Sequence, residues 1–340
     1  MTGNFYDSLN LLSKVTLRRL VNGLKIYISF YLSKMLRKPY VSGLPISLSF
    51  EPTTSCNLRC PECPSGLRSF SRPIGMLKSD LFRRTIDEMS DDLLYLTFYF
   101  QGEPYLNPLF LDMVSYATKK KIYTTTSTNA HYLSDENIDK TLKSGLDRLI
   151  ISIDGTSQNT YESYRRGGNL EKVLDGTRRL VARRNELKLK KPFILFQFLV
   201  VKPNEHEIEE VKKLGKEIGV DKVGFKTAQI YGYENGSDLI PTIDQYSRYR
   251  KTSESTYEIK NELHNQCWKM WHSSVITWDG RVVPCCFDKD ASHQMGKVSS
   301  KSFKEIWFGK AYSNFRSSLL KSRKEIDICK NCSEGTKVWA

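Results

Sequence analysis

No run of apolar residues in this 340-residue chain approaches the length of a bilayer crossing. The longest near the start is Ile26 to Leu32. The N-terminus also lacks the charged start, apolar run and small-residue cleavage site, in that order, of a secretory signal. These two absences make a reducing cytoplasm the expected compartment, where clustered cysteines read as metal ligands or redox groups before disulfides. Hydrolase and nucleotide motifs are missing too. There is no Gly-x-Ser-x-Gly elbow and no His-Glu-x-x-His, and His is scarce, with five in the chain. Gly219 and Gly224 have P-loop spacing, but Phe225 stands where that loop needs Lys. No internal repeat or low-complexity segment is present.

Acid is in short supply at one end. The net charge is +14, and residues 1–40 hold seven Lys or Arg against one acid, Asp7. A basic chain suits nucleic acid, anionic lipid or an acidic substrate, or simply a solvated surface. With no aromatic-rich basic module, no specific nucleic-acid binding is expected. Within residues 11–36, Leu17, Leu20, Val21, Leu24, Ile28, Tyr31, Leu32 and Met35 recur at helical spacing among Arg18, Arg19, Lys25 and Lys34. Such a helix packs on the protein's own body or lies in a membrane interface. Packing on the body is the expected arrangement, and peripheral contact with the inner face of the membrane through residues 11–36 stays open.

From Ile46 strand and helix signals alternate. Strand candidates are 46–52, 95–101, 122–127, 148–154, 193–201 and 222–228, rich in Ile, Phe, Tyr, Val and Thr. Helical segments are expected near 79–90, 108–120, 134–144, 170–186 and 205–218, with Ser79, Ser134 and Asn204 at their heads. Six such units predict an α/β fold with a parallel sheet, a partial (β/α)6 TIM barrel whose chemistry collects at the C-terminal ends of the strands. After about residue 235 the rhythm stops. Residues 236–265 are polar and expected to be helical in part. Beyond them come the other five cysteines and short strand-like pieces, 274–278 and 280–283. The expected division is a basic helical segment 1–45, the barrel 46–235 and a small cysteine-rich domain 236–340.

Residues 56–63 read Cys-Asn-Leu-Arg-Cys-Pro-Glu-Cys, so Cys56, Cys60 and Cys63 share the loop after the first strand. Three thiolates on a four-iron cluster leave one iron without a protein ligand and able to bind substrate, whereas a closed four-cysteine site serves structure or electron transfer. Structural zinc wants four ligands, commonly in Cys-x-x-Cys pairs, and fits this array poorly.

The array resembles the signature of the radical S-adenosylmethionine (SAM) superfamily, over most of residues 46–340. Glu62 departs from it, standing where many members carry an aromatic. The resemblance implies a SAM-binding [4Fe–4S] cluster on Cys56, Cys60 and Cys63, reductive cleavage of SAM to a 5′-deoxyadenosyl radical, and an electron donor such as flavodoxin or ferredoxin. Gln101-Gly102-Glu103-Pro104 resembles the family's Gly-Gly-Glu turn, with Gly102 allowing close backbone approach and Glu103 accepting from the methionyl ammonium. Ser127-Thr128-Asn129 and Ser152-Ile153-Asp154-Gly155 end the third and fourth strands. The resemblance makes Gly102, Glu103, Ser127, Asn129, Ser152 and Asp154 cofactor-binding candidates. Asp154 reads equally as a turn residue bonding its own backbone. Arg165-Arg166-Gly167-Gly168 could aim a guanidinium at a carboxylate.

Cys267, Cys285, Cys329 and Cys332 form a second set, ending in Cys-x-x-Cys, with Gly280 five residues before Cys285. The set also suits zinc. It resembles a SPASM/Twitch-like domain in the shorter form with one auxiliary [4Fe–4S] cluster, and its spacing is like that of the aminoglycoside-pathway alcohol dehydrogenases of the group. Cys286 is left over, as a spare buried thiol or a replacement ligand for Cys285, with Cys285 favoured because it keeps the Gly-x4-Cys spacing; Asp288 and Asp290 are candidate bases by proximity alone. A closed auxiliary cluster favours a two-electron oxidation of a substrate, with a small molecule preferred. One alternative is a peptide-modifying maturase making thioethers or crosslinks, although 45 residues before the first strand are few for a winged-helix peptide-binding domain. Another is a non-catalytic zinc or iron–sulfur protein gripping RNA, which would leave the strand-end motifs unexplained.

Overall fold

The computed structural model describes residues 2–253 and 256–334. The chain opens with α1 (Thr2–Leu12) and α2 (Leu17–Leu36). A βα succession follows: β1 (Ser47–Phe50), α3 (Pro64–Leu67), α4 (Ser79–Met89), β2 (Tyr95–Thr97), α5 (Phe110–Lys119), β3 (Tyr123–Thr128) and α6 (Asp135–Ser144). It continues with β4 (Arg148–Ser152), α7 (Gln158–Tyr164), α8 (Leu170–Glu186), β5 (Phe193–Val200), α9 (Ile208–Ile218) and β6 (Lys222–Thr227). β1 to β6 pair in chain order and all in parallel, with helical crossovers between them. This is the partial TIM barrel expected from the sequence.

The helices form for local reasons. α4 buries Phe82, Thr85, Ile86 and Met89, one face at helical spacing. The Ser134 hydroxyl accepts from Asn137 N to cap α6, and Gly145 ends it at a φ of 78°. Two expected caps differ. Ser79 lies inside the first turn of α4, its hydroxyl accepting from Arg83 Nε at 3.0 Å. Asn204 sits in a 3₁₀ turn, Lys202–Glu207, where its Oδ1 accepts from Val201 N at 2.8 Å, and α9 starts only afterwards.

After β6 come the hairpin β7 (Tyr249–Lys251) and β8 (Tyr257–Ile259), then α10 (Lys269–His272), β9 (Ser273–Ile276), β10 (Arg281–Val283) and β11 (Gly296–Lys297). α11 (Phe303–Trp307), α12 (Lys310–Ser322) and α13 (Asp327–Lys330) complete the described chain. The expected partial helix in 236–265 is absent among the described residues. They form the hairpin and a 3₁₀ turn at Asp244–Tyr246, in line with the Tyr, Thr and Ile that favour a pleated surface. β9 then pairs in parallel with β1, Ser47 opposite Ser273 and Phe50 opposite Ile276. The result is one nine-stranded sheet in the order β11-β10-β9-β1-β2-β3-β4-β5-β6. Across this junction Arg72 makes a buried bidentate pair with Glu51, which also accepts from Trp278 N at 3.2 Å.

α2 lies on this body through its polar side. The buried Arg19 guanidinium donates to the carbonyls of Lys14, Ser90, Lys120 and Lys121. Asn22 exchanges two hydrogen bonds with the Leu44 backbone, at 2.8 and 2.9 Å. Ser33 does the same with Tyr40, and Ile26 and Phe30 fill the remaining inner face. The helix packs on the body, but its apolar stripe points outward.

Candidate active site

The cysteine loop leaves β1 and ends in α3, with Pro64 at the first helical position. Close packing holds it. A Cβ on Gly66 would come within 2.6 Å of Cys60 N. Gly102, at a φ of +74°, lies against the other side, where a Cβ would meet Thr53 O at 2.2 Å and Ser55 O at 2.8 Å. Gly102 N donates to Ser65 Oγ at 2.9 Å, and Glu103 N donates to Ser55 O at 2.8 Å. The turn after β2 is therefore laced to the loop at both ends. Cys56, Cys60 and Cys63 line one cavity of about 190 Å³ together with Gly102, Glu103, Ser127, Asn129 and Ser152.

Glu103 is the buried hub of that cavity. Its carboxylate accepts from Thr128 Oγ1 at 2.7 Å, Asn129 N at 2.8 Å and Tyr105 N at 3.3 Å. A carboxylate offers about four acceptor positions, so one is left on the cavity side. Burial outweighs these donors and pushes the carboxyl up to about 7. Asn129 links the hub to the loop, its Nδ2 donating to Asn57 Oδ1 at 2.8 Å and lying 3.7 Å from Cys56 Sγ. Ser127 and Ser152 face each other across β3 and β4, Oγ to Oγ at 3.3 Å.

Asp154 does not reach the cavity wall. It is fully buried, accepts from Leu199 N at 2.7 Å and pairs with the Arg165 guanidinium. Arg165 takes the wall position instead, its Nη1 4.0 Å from Cys60 Sγ. The strand-end Asp thus orients the Arg, and the Arg meets whatever fills the cavity. Burial also raises the Cys56 thiol, to about 12, and raises Cys60. Glu62 turns from the cavity, accepting from Tyr231 N at 2.7 Å. Asp288 accepts from Ser292 N and His293 N, and Asp290 from Ser71 N. Both bind loops, and neither lines this cavity.

In the second set Cys267, Cys329 and Cys332 are buried and Cys285 is partly so, while Cys286 is exposed. Sequence reasoning missed a buried residue that lies beside three of them. Arg323 is wholly buried; its Nη2 donates to Cys332 Sγ at 3.2 Å and to Glu334 O at 2.7 Å, and its Nη1 to Gln266 O. Its charged neighbours are Cys267, Cys332 and Cys329, and among the described residues its Nε has no partner. A buried guanidinium without a carboxylate needs anions nearby, and thiolates held by metal supply them. Among the described residues, no three His, Cys, Asp or Glu side chains converge as ligands of a single metal ion would. Thiolate sulfurs are the usual ligands of four-iron clusters, and the donor chemistry of both sets fits such a cluster.

Comparison with known proteins agrees with this chemistry. The family model of the radical SAM superfamily matches residues 50–215, and that of the SPASM iron–sulfur cluster-binding domain matches 267–333. A tungsten-containing aldehyde ferredoxin oxidoreductase cofactor-modifying protein of Pyrococcus furiosus is 28% identical over 320 residues, 84% of this chain and 86% of its own. A PqqA peptide cyclase of Gluconobacter oxydans is 23% identical, covering 87% of this chain and 84% of its own. Among solved structures, SuiB of Streptococcus suis bound to S-adenosylmethionine superposes with a TM-score of 0.64 at 16% identity, over 87% of this chain and 73% of SuiB.

Proposed function

Because the chain belongs to the radical SAM superfamily and carries a C-terminal SPASM domain, with SAM and [4Fe–4S] clusters as its cofactors, we propose that it abstracts hydrogen from a small-molecule substrate and completes a two-electron oxidation. The second electron leaves through the centre on Cys267, Cys285, Cys329 and Cys332. One observation supports this reading: a three-cysteine cavity lies at the end of β1, and three cysteines of the second set, Cys267, Cys329 and Cys332, surround the buried Arg323 in the segment whose strand β9 pairs with β1. Residues 1–45, 46–235 and 236–340 are then the N-terminal helical, catalytic and auxiliary segments.

Cys56, Cys60 and Cys63 hold the catalytic cluster in this scheme. Once bound, that cluster and SAM supply a 5′-deoxyadenosyl radical able to take a hydrogen atom. The protein binds and orients. Glu103 keeps one acceptor position for the methionyl ammonium, Gly102 brings the backbone close, and Arg165, held by Asp154, meets the carboxylate. Ser127, Ser152 and Asn129 offer hydrogen bonds to the ribose. Leu58, Tyr99, Phe100, Tyr164 and Leu199 form the apolar wall that excludes water. A cytoplasmic donor such as flavodoxin or ferredoxin supplies the first electron.

Anaerobic reconstitution tests the core of this. We expect about eight irons per chain from two four-iron clusters, and 5′-deoxyadenosine on adding reductant and SAM. Wild-type release by the Cys56/Cys60/Cys63 triple Ala variant would overturn it. Cys329→Ala with Cys332→Ala should lose about half the iron yet still cleave SAM; retention of all the iron would refute a cluster on these cysteines. A second reading has its own support, since the Gluconobacter oxydans relative is named a peptide cyclase. Deuterium transfer into 5′-deoxyadenosine from a labelled peptide, and not from labelled small molecules, would select it.

A further inference from the structure

α2 carries an apolar face that the fold turns away from the protein. Leu17, Leu20, Leu24, Ile28, Tyr31 and Met35 follow one another at spacings of three and four, so they form a single stripe. Leu17 is 78% exposed, Met35 71%, Ile28 53% and Leu24 52%. The stripe continues past the N-terminus of α2, where Leu12 and Leu9 of α1 are exposed as well. This orientation is enforced. Rotating α2 to bury the stripe would tear Arg19, Asn22 and Ser33 from their backbone partners and leave buried polar groups unpaired. A soluble protein rarely keeps so long an apolar face without something to cover it.

The charge around the stripe says what covers it. α2 contains no acid. Lys25 and Lys34 lie on its two flanks, and beyond its C-terminus a cavity of about 640 Å³ is lined by Lys34, Arg37, Lys321 and His264; among the described residues no carboxylate lines it, and the nearby Glu262 pairs with His264 at 3.3 Å. Lys34, Arg37 and Lys321 have no ion-pair partner among the described residues. An anionic lipid surface satisfies both halves: acyl chains take the stripe, and phosphate headgroups take the cations. Among the described residues no helix is long and apolar enough to cross a membrane, so α2 lies along the surface.

We propose that this face docks the protein onto an anionic membrane, with α2 flat in the interface and the Lys34, Arg37 and Lys321 cavity receiving a phospholipid headgroup. This goes beyond the chemistry assigned above and does not depend on it. The test is co-sedimentation of the reconstituted full chain with phosphatidylcholine vesicles, with and without phosphatidylglycerol. Binding should need the anionic lipid and weaken with salt. Leu24→Glu with Ile28→Glu changes only exposed positions and should weaken partitioning about tenfold or more while SAM cleavage persists. Lys34→Glu, Arg37→Glu and Lys321→Glu together should weaken it by at least roughly 100-fold, at about fivefold for each cation lost and more for each charge reversed. The proposal fails if wild type does not sediment with anionic vesicles, or if the Glu variants sediment as well as wild type. It also fails if the stripe substitutions abolish only a dimer seen by sedimentation velocity, which would make this face a contact between copies.

Discussion

Gly102→Ala isolates what holds the cysteine loop in place. Any L-residue at a φ of +74° carries a left-handed backbone cost of about 1–2 kcal/mol. Gly167 supplies the control, since its φ is +76° but nothing lies within 4 Å of a Cβ there. Gly167→Ala should therefore show the backbone cost alone. At Gly102 the new methyl would also sit 2.2 Å from Thr53 O and 2.8 Å from Ser55 O. Both contacts are backbone, so no rotamer change relieves them, and the loop that starts at Ser55 must move. Such overpacking adds about 1–3 kcal/mol, for a total of roughly 2–5 kcal/mol. The strain falls on the segment that presents Cys56, so the damage should be local. In urea titrations of the cluster-free proteins, Gly102→Ala should unfold well before Gly167→Ala. After reconstitution it should hold about four irons, those of the second set, and release little 5′-deoxyadenosine. Matching stability, iron content and nucleoside release in the two variants would refute the claim that the turn after β2 braces the cysteine loop.

Other expectations follow from the same site. Burial pushes the Glu103 carboxyl from its ordinary 4.5 up to about 7. Its stabilising contribution is present below about pH 4.5 and is lost as pH rises towards 7, where the buried carboxyl must ionise. On the proposed pairing of this carboxylate with the methionyl ammonium, SAM affinity should rise over the approach to pH 7 and beyond, and Glu103→Gln should flatten both profiles in calorimetry. Asp154→Asn should free Arg165 and weaken SAM binding about tenfold, measured by equilibrium dialysis, although Asp154 is off the cavity wall. Arg323→Met removes the cation beside three thiolates, so the potential of the auxiliary cluster should fall in a potentiometric EPR titration, while Arg323→Lys falls less. Arg19→Met should cost about 2–3 kcal/mol in urea unfolding by leaving the part-buried carbonyls of Lys14, Ser90, Lys120 and Lys121 without this donor.

The barrel was legible because its signals are local. Runs such as Phe193–Val200, apolar and bounded by turn residues, mark their strands within a residue or two. The three-cysteine spacing and the Gly-Glu turn lie within short segments as well, and the structure gathers them at one cavity. What escaped depends on contacts distant in sequence. α7, Gln158–Tyr164, is short and mostly polar, so no periodicity announces it. Asp154 and Arg165 each read alone as facing a ligand, and only their pairing shows that one is spent holding the other. Nothing near Arg323 marks it, since its partners come from Gln266, Cys332 and Glu334. The period of α2 identifies its apolar stripe but carries no information about which way the stripe faces. That was decided by Arg19, Asn22 and Ser33, which look like ordinary surface residues.

The pairing of β9 with β1 has a consequence for anyone who would cut this protein in two. Without β9 to β11, β1 becomes the rim of an open sheet, with a row of unpaired backbone N–H and C=O groups along Ser47 to Phe50. Such a rim is a template for strands from other molecules, and here it would carry the buried Leu48 and Phe50 with it. The C-terminal segment thus serves as a selvedge that keeps the woven sheet from unravelling into aggregates. A barrel expressed without it should be recovered as precipitate rather than as a working half, and grafting a foreign auxiliary domain should succeed only if the graft brings its own strand to seal that rim.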